Sequence, residues 1–308
     1  MDPLTDILLD LRLKSSFYCR SDLGAPWGLA FSVQDGPAFH IVLRGHGFLR
    51  MDTQIVPIQA GDVVMLPHAA AHDLASAMEA PAIPLKELPS EHIGNNAALL
   101  NYGGDGDRSL LICGRVRFAG PIEHPLVKLL PQVMLLHVGS DQQRQREDTW
   151  LDSTLTMLGA EALSSRPGSV AVMTRLVDIL VLETIRAWLE EDAYQHEGWL
   201  AALRDPDIGK ALAAIHQQAE KRWTVNSLAA EVHLSRSVFS ERFSRLVGMS
   251  PMQYVTRWRM HLASSWIEEG HLTLSEVAQR LGYSSEAAFS RAFKRYLHVP
   301  PGSIRPAA

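Results

Sequence analysis

Two segments near the C-terminus, 224–251 and 273–301, are diverged copies of one pattern, and we name them unit one and unit two. Their positions correspond at an offset of 49 residues before an internal turn and 50 residues after it. The matching residues include Leu228 with Val277, Ala229 with Ala278, Phe239 with Phe289, Phe243 with Phe293, and Pro251 with Pro301. A repeat with apolar residues spaced three and four apart around a short turn predicts two helix-turn-helix units in tandem.

Each unit contains the residues that start and join two helices. Thr224 and Thr273 precede short helical patterns, where a threonine side chain can accept a hydrogen bond from an unpaired N–H group. After the turn, Ser235 in unit one and Ser284 or Ser285 in unit two can cap a second helix in the same way. The phenylalanines of the second helices recur every four residues, so one face is predicted to be core and the opposite face polar.

The polar face of each second helix carries residue types that suit the major groove of DNA. Arginine can pair with guanine through two hydrogen bonds, glutamate can accept from cytosine, and small residues allow a close approach. The candidate DNA-contacting residues are Arg236, Ser237, Ser240, Glu241 and Arg245 in unit one, and Glu286, Ala287, Ser290, Arg291, Lys294 and Arg295 in unit two. The competing interpretation is that two helical hairpins pack together and their charged faces are only solvated.

The charge distribution and the spacer between the units favour DNA. From Asp205 to the end there are 13 Lys and Arg against 9 Asp and Glu, a net charge of +4, whereas the rest of the chain carries 16 against 25, a net charge of −9. The basic part is therefore predicted to meet phosphate. Residues 251–268 predict one helix of roughly 25 Å, a length suited to holding two recognition helices in successive major grooves.

A set of motif residues extends across both units. They are Pro251, Tyr254, Arg259 and Ala263, then Val277, Ala278, Leu281, Gly282, Tyr283, Phe289, Ser290, Arg291, Phe293 and Lys294, and finally Pro300, Pro301 and Arg305. On these residues, about the last hundred positions resemble the AraC/XylS family of bacterial transcription regulators. The resemblance implies that the second helix of each unit enters the major groove, with Arg291 the foremost candidate for a base contact. It also implies double-stranded operator DNA and RNA polymerase as partners.

The chain departs from that family pattern at two structural positions. His298 stands where glycine is usual, and Ile304 stands where an aromatic residue is usual. Both positions follow the second helix of unit two. They concern local backbone geometry, so they leave the predicted function unchanged.

Residues 1–118 alternate short β-rich runs with glycine and proline breaks, which predicts a small jelly roll or barrel. The runs are 27–31, 39–43, 47–51, 54–58, 62–67 and 109–113. The stretch 61–72 resembles the second motif of cupin barrels, and a cupin joined to this type of DNA-binding domain is common among AraC-type regulators. The first cupin metal motif is absent from the sequence, and only His40 on the preceding strand takes its place.

The pattern then becomes helical, so residues 119–197 are predicted to form a helical region. Its broad apolar faces predict either a cover for the barrel or a homodimer interface through residues 148–190. We favour the dimer, partly because related regulators often use this region for it. Residues 198–206 are predicted to be a linker, and 207–308 to be the tandem helix-turn-helix domain. Together these elements predict a multi-domain α+β protein with a cupin-like sensor domain.

Three hypotheses concern the chemical signal that the barrel would sense. A tetrahedral zinc site could be completed by Cys19, His40, His72 and Cys113, although a lone histidine on a strand is more often a satisfied core residue. A redox switch could use Cys19 and Cys113, since some AraC-type regulators with a similar N-terminal region respond to reactive oxidants. A small organic effector could bind in the barrel mouth, lined by Trp27, Phe39 and His68.

Length and composition restrict the alternatives. A chain of 308 residues with 46% hydrophobic content is long enough for two cores. Its sequence has no membrane-length apolar run and no signal-peptide pattern, so we expect a cytoplasmic protein without membrane contact. The competing function is a metal-dependent cupin enzyme fused to a DNA-binding domain. We favour a regulator that is not an enzyme, because an attached DNA reader suits a barrel that reports occupancy.

Overall fold

The computed structural model describes residues 8, 14–33, 36–52, 54–93, 97–118, 127, 130–137, 148–164, 166–191 and 199–305. Contacts between residues divide the chain into two compact bodies. The β-rich body consists of Leu13–Arg117 and Pro125–Glu191, and the helical body includes Asp192–Ala308. We describe each body by itself.

The β-rich body contains twelve strands within the described residues. They are β1 (Lys14–Gly24), β2 (Gly28–Phe31), β3 (Ala38–Arg44), β4 (His46–Arg50), β5 (Ile55–Gln59), β6 (Asp62–Leu66), β7 (His72–Ala75), β8 (Ile83–Pro84), β9 (Ser90–Ile93), β10 (Ala97–Gly103), β11 (Arg108–Arg117) and β12 (Met134–His137). The predicted β-rich runs correspond to β2 to β6 and to β11. The sequence prediction missed the other six strands.

The strands form two sheets that enclose one core. The larger sheet has the order β12-β6-β3-β11-β1-β10-β9, and the smaller has the order β5-β4-β7-β2-β8. Side chains from both sheets meet in a single apolar cluster that includes Leu23, Leu29, Leu49, Leu66, Leu74 and Leu111. This double-sheet architecture confirms the predicted cupin-like domain.

The centre of the larger sheet is buried on both faces, because a helix covers its outer side there. Side chains alternate between the two faces of a strand, so Ala38, His40 and Val42 of β3 lie on the inner face and Phe39 and Ile41 on the outer face. All five residues of β6 are buried. Burial on both faces explains why β6 is a continuous apolar run after its first residue.

The β-rich body includes the helices α1 (Asp148–Ala162) and α2 (Ser169–Glu191). They pack against each other, and α2 also packs against β1, β6 and β12. The region 119–197 was predicted to be helical throughout. The structure differs at β12, whose residues pair with β6 and extend the larger sheet.

The helical body contains seven helices within the described residues. They are α3 (Trp199–Arg204), α4 (Ile208–Gln217), α5 (Val225–Glu231), α6 (Arg236–Val247), α7 (Pro251–Glu269), α8 (Leu274–Arg280) and α9 (Glu286–Leu297). The predicted linker 198–206 contains α3, which packs against α4 and α6 and whose Ala202 is fully buried. This segment is therefore part of the helical body and does not form an extended connection.

The remaining division at residues 118 and 207 stays a prediction. The multi-domain α+β class is confirmed by the sheet-rich body and the helical body together. Within the described residues, no helix is both long enough and apolar enough to cross a membrane.

Candidate functional site

The first candidate site is the surface formed by the two second helices, α6 and α9. Ser235 caps α6 by accepting from the Val238 N–H, and Ser285 caps α9 by accepting from the Ala288 N–H. Of the two serines that the sequence left open in unit two, Ser285 is therefore the cap. The buried phenylalanines Phe239 and Phe243 of α6, like their counterparts in α9, attach one face of each helix to the core.

Every predicted DNA-contacting side chain is at least partly accessible to solvent. Nine of these residues are exposed, and Ser240 and Ser290 are half-buried. In unit one the surface has a shallow, open depression of about 700 Å³, lined by Arg236, Ser237, Ser240, Glu241 and Ser244. Ser244 was missed by sequence reasoning, although its spacing of three from Glu241 on a helix is the signal that identifies it.

The spacer helix α7 holds the two units in a fixed relation. Its 19 residues span about 28 Å at the usual rise per residue. Tyr254 hydrogen bonds to His216 of α4 at 2.8 Å, and Trp258 stacks on the same imidazole at 3.7 Å between ring centres. Arg259 donates to the carbonyl oxygens of Ala219 and Lys221 just beyond α4. These contacts fix α7 to α4 and to the segment that leads into unit one.

Burial of the imidazole at this junction changes its acid–base behaviour. His216 is almost fully buried, and this burial, together with the nearby His261, lowers the pKa of His216 to about 3. The imidazole is therefore neutral at physiological pH. A neutral, stacked histidine at this position has a structural role. The candidate DNA-contacting side chains lie on α6 and α9.

The second candidate site lies inside the barrel, where strand register brings the thiols and one histidine together. Cys19 of β1 is the direct cross-strand partner of Cys113 of β11, and Cys113 is the direct partner of His40 of β3. Directly paired residues project on the same face of a sheet. Both cysteines belong to the apolar core cluster, and each is at most 2% exposed.

The smaller sheet contributes a second imidazole to this group. The Nε2 atoms of His40 and His72 lie 2.7 Å apart, and the Nδ1 atom of His72 lies 2.7 Å from the Ala70 carbonyl oxygen. A carbonyl can only accept, so the proton of His72 resides on Nδ1, and His40 donates through Nε2. Burial lowers the pKa of His40 well below its usual range, and His72 lowers it further.

This arrangement does not fit a metal ion, which a cupin fold would suggest. The two imidazole nitrogens that would bind an ion are hydrogen-bonded to each other. Within the described residues, no group of three or more His, Cys, Asp or Glu side chains is placed to hold a metal. The predicted zinc ligands Cys19, His40, His72 and Cys113 are neighbours, but they do not form a ligand set as arranged.

The predicted effector pocket does not form either, because its three residues lie in different places. Trp27 is buried in the core between the sheets. Phe39 lies on the outer face of the larger sheet, because its strand neighbour His40 takes the inner face. His68 is exposed and its Nε2 atom bonds to the Leu130 carbonyl oxygen at 2.7 Å.

Both thiols have low reactivity in this structure, because burial favours their protonated form. Burial raises the pKa of Cys113 well above its usual range, and the adjacent Cys19 raises it further. Burial also raises the pKa of Cys19, partly offset by a bond from Ser21 and by the charge of Arg20. Both cysteines are free. Direct partners on antiparallel strands have Cα atoms about 4.5–5.5 Å apart, within the range of about 4.4–6.8 Å that a disulfide spans.

Arg20 connects this strand to the helical layer. Because it follows Cys19, its side chain points to the outer face of the sheet. Its Nη1 atom donates to the carbonyl oxygen of Ala162, the last residue of α1, at 2.7 Å. A cation at a helix C-terminus satisfies one of the unpaired carbonyl groups there.

Comparison with known proteins identifies relatives of both bodies. A cupin family model matches residues 2–190, and a helix-turn-helix domain model matches residues 228–307. The chain is 33% identical to a putative AraC-like transcription regulator of Streptomyces lividans, over 99% of this chain and 98% of the relative. It is 30% identical to the regulator AlkR of Acinetobacter baylyi, over 99% of each chain. It is 24% identical to the RCS-specific transcriptional activator RclR of Escherichia coli, over 99% of this chain and 97% of the relative.

Proposed function

Because the chain belongs to the AraC family of transcription regulators, with a cupin domain and a helix-turn-helix domain, we propose that it is a dimeric operator-binding protein controlled by oxidation of Cys19 and Cys113. The observation that carries the control is the strand register that pairs these two cysteines. The proposal covers three parts, which are the DNA surface, the dimer and the switch.

The DNA surface is proposed to read two successive major grooves through α6 and α9. Arg291 is assigned to a guanine, because its exposed guanidinium can form two hydrogen bonds with the guanine edge. Glu241 is assigned to a cytosine, whose amino group donates to a carboxylate. The protein would act in the cytoplasm of a bacterium, where operator DNA and RNA polymerase are found.

The dimer is proposed to form through α1 and α2. Trp150 and Met157 of α1 are 46% and 60% exposed and lie seven residues apart, and Val172 and Ile179 of α2 repeat that spacing at 47% and 43% exposure. Residues seven apart share one helix face, so each of the two helices presents an exposed apolar stripe. A second copy of the chain can cover both stripes.

The dimer has its own test in solution. Met157→Asp combined with Ile179→Asp places a charge in each stripe, so we expect the full-length protein to sediment as a monomer. Asp152→Lys changes the charge of an exposed residue on the opposite side of α1 from Trp150 and is the control. A double variant that remains dimeric would contradict this interface.

The switch is proposed to be a disulfide between Cys19 and Cys113. With hypochlorous acid as oxidant, two S–H bonds break and one S–S bond forms. Two electrons pass to chlorine, which leaves as chloride, and the oxygen leaves as water. The raised pKa values keep both thiols protonated, so dilute hydrogen peroxide, which attacks thiolates, is expected to react slowly.

Arg20 supports a route from the switch to the dimer helices. A disulfide would shift β1 relative to β11, and Arg20 on β1 holds the end of α1. Movement of this bond would change the position of α1 in the dimer. The chain then shifts between two populations that differ in operator affinity.

A regulator without catalytic activity is preferred over a cupin enzyme. The relatives that match over the full length are named transcription regulators. We therefore propose that the barrel reports a signal and does not turn over a substrate.

The switch is tested on the full-length reduced protein treated with one to two equivalents of hypochlorite. Free thiols, bound zinc and affinity for a duplex recovered by selection from a random DNA library are followed together. We expect loss of two thiols per chain without metal release, and a changed DNA affinity. Cys19→Ser and Cys113→Ser should each abolish the DNA response. Release of about one zinc per chain would show a metal switch instead, and no response in DNA binding would reject the proposal.

A further inference from the structure

One arginine on the first reading helix is bonded to carboxylates of the protein through every nitrogen of its guanidinium group. Arg242 of α6 donates from Nε and Nη2 to the Oδ2 atom of Asp205, at 3.0 and 2.6 Å. Its Nη1 atom donates to Oδ2 of Asp207 at 2.9 Å. All three guanidinium nitrogens are therefore bonded to carboxylates in one fork-shaped contact.

The carboxylates that hold Arg242 belong to the turn between α3 and α4. Asp205 is only 12% exposed, and its other oxygen accepts from the backbone N–H groups of Asp207 and Ile208 at 3.1 and 2.9 Å. One carboxylate thus starts α4 and anchors α6. The hydrogen bonds from Ile208, Arg242 and Asp207 lower the pKa of Asp205 although its partial burial acts in the opposite sense.

The position of Arg242 separates it from the residues that face DNA. It lies one residue before the buried Phe243 and is half-buried, on the flank of α6 between the core face and the polar face. In unit two the matching residue at an offset of 50 is Ala292, so α9 has no comparable anchor at that position. Arg245, three residues later on α6, is exposed, so its positive charge is accessible to a DNA phosphate.

We infer that Arg242 is a positioning residue: it sets the orientation of α6 in the major groove through Asp205 and Asp207, and it does not bind phosphate. A flank arginine on a recognition helix would otherwise be assigned to the DNA backbone. The fork contact uses three of its five N–H groups and pairs its positive charge with two carboxylates, which weakens its attraction for phosphate. The inference rests on the proposed seating of α6 in the groove.

Arg242→Lys distinguishes a positioning role from a phosphate contact. Lysine keeps the positive charge, but it cannot form the fork-shaped contact with Asp205 and Asp207. A lysine can replace arginine at a phosphate, whereas it cannot bridge two carboxylates with the same planar geometry. The measured quantity is the specificity ratio, which is the affinity for the selected duplex divided by the affinity for a scrambled duplex of equal length. We expect Arg242→Lys to lower this ratio about tenfold, the order of one misread base pair.

The salt dependence provides the second readout. Arg242→Lys should leave the slope of log affinity against log salt concentration unchanged, as should Arg242→Ala. The matched control Arg245→Ala should lower the slope by about 0.9 and weaken both duplexes equally. The double variant Asp205→Asn with Asp207→Asn removes the anchor from the other side, keeps Arg242 itself, and should lower the specificity ratio as Arg242→Lys does.

Thermal melting of each full-length variant confirms that it is folded before binding is measured. The inference would be overturned if Arg242→Lys and the double asparagine variant both kept the specificity ratio of the wild-type protein. A slope lowered by Arg242→Ala would also overturn it, because Arg242 would then be a phosphate contact. If Arg245→Ala changes neither the affinity for either duplex nor the salt slope, then the proposed placement of α6 in the major groove is wrong. That result would not bear on the role of Arg242.

Discussion

Units one and two have the same framework and different reading faces. Both start with a threonine capping box, Thr224 with Ser227 and Thr273 with Glu276, and both place two phenylalanines in the core. At the central groove-facing position, however, unit one has Glu241 where unit two has the cation Arg291. The difference teaches that the buried and capping positions define the unit, whereas the exposed face is free to specify a different DNA sequence.

The two units also exchange glycine and histidine at their two left-handed positions. In the internal turn, His233 with φ +57° corresponds to Gly282 with φ +74°. After the second helix, Gly248 with φ +76° corresponds to His298 with φ +62°. The backbone bond is retained, since the N–H groups of Gly248 and His298 donate to Ser244 and Lys294 respectively. Each unit therefore has one relaxed and one strained residue.

The largest expected effect concerns the shared framework. Phe243→Ala and Phe293→Ala each leave a cavity in a fully buried site, so we expect each to reduce the free energy of unfolding by about 3–5 kcal/mol. Chemical denaturation of the full-length protein measures both. A loss below about 1 kcal/mol in only one unit would show that the two cores are not equivalent.

The next effect concerns the different reading faces. Arg291→Ala should weaken binding to the selected duplex by about 1–3 kcal/mol and relax the choice of base at one position. Glu241→Ala should relax a different position, without weakening binding to scrambled DNA, because it removes a negative charge. Titrations with single-base variants of the duplex measure both changes. Unchanged specificity in Arg291→Ala would contradict the docking of unit two.

The exchanged left-handed positions predict a smaller, stabilising effect. His233→Gly and His298→Gly should each raise the free energy of unfolding by about 1 kcal/mol, because a side chain at positive φ is strained. Gly248→Ala and Gly282→Ala are the matched changes and should lower stability by a similar amount. Thermal and chemical unfolding give the four values. If the alanine variants were more stable than the wild-type protein, backbone strain at positive φ would not explain the stabilities of these positions.

The smallest effect concerns the charge of the two surfaces. Lys294 of unit two corresponds to Ser244 of unit one. Lys294→Ala should weaken binding to all duplexes and lower the salt slope by about 0.9, and Ser244→Lys should raise the slope by a similar amount. Binding isotherms at four salt concentrations are sufficient. A loss confined to the selected duplex would mean that Lys294 contacts a base.

The sequence predicts the units far better than the barrel, for physical reasons. Caps, turns and cores within a helix-turn-helix unit depend on residues three to eleven positions apart. The sequence therefore identifies Ser235 and the phenylalanines correctly, and it limits the cap of unit two to Ser284 or Ser285. The strand β1 mixes polar and apolar residues and gives no alternating pattern, so it is missed. The anchor of Arg242 joins residues more than 30 positions apart, which no local pattern reveals.

The barrel site shows the same limit in another form. The sequence suggests that Cys19, His40, His72 and Cys113 belong together, and the structure brings them close only through strand register. Local patterns do not specify which face a given strand residue takes, and for this reason Phe39 was assigned to the wrong side of the sheet. A shift of one residue reverses that assignment.

The most direct test of the tandem reader is selection of bound duplexes from a random library by the full-length reduced protein. Two units held by α7 in successive major grooves predict two conserved blocks about 10–10.5 base pairs apart, with a guanine in one block that is lost when Arg291→Ala is used for selection. A single conserved block, or two blocks unaffected by Arg291→Ala, would contradict the account.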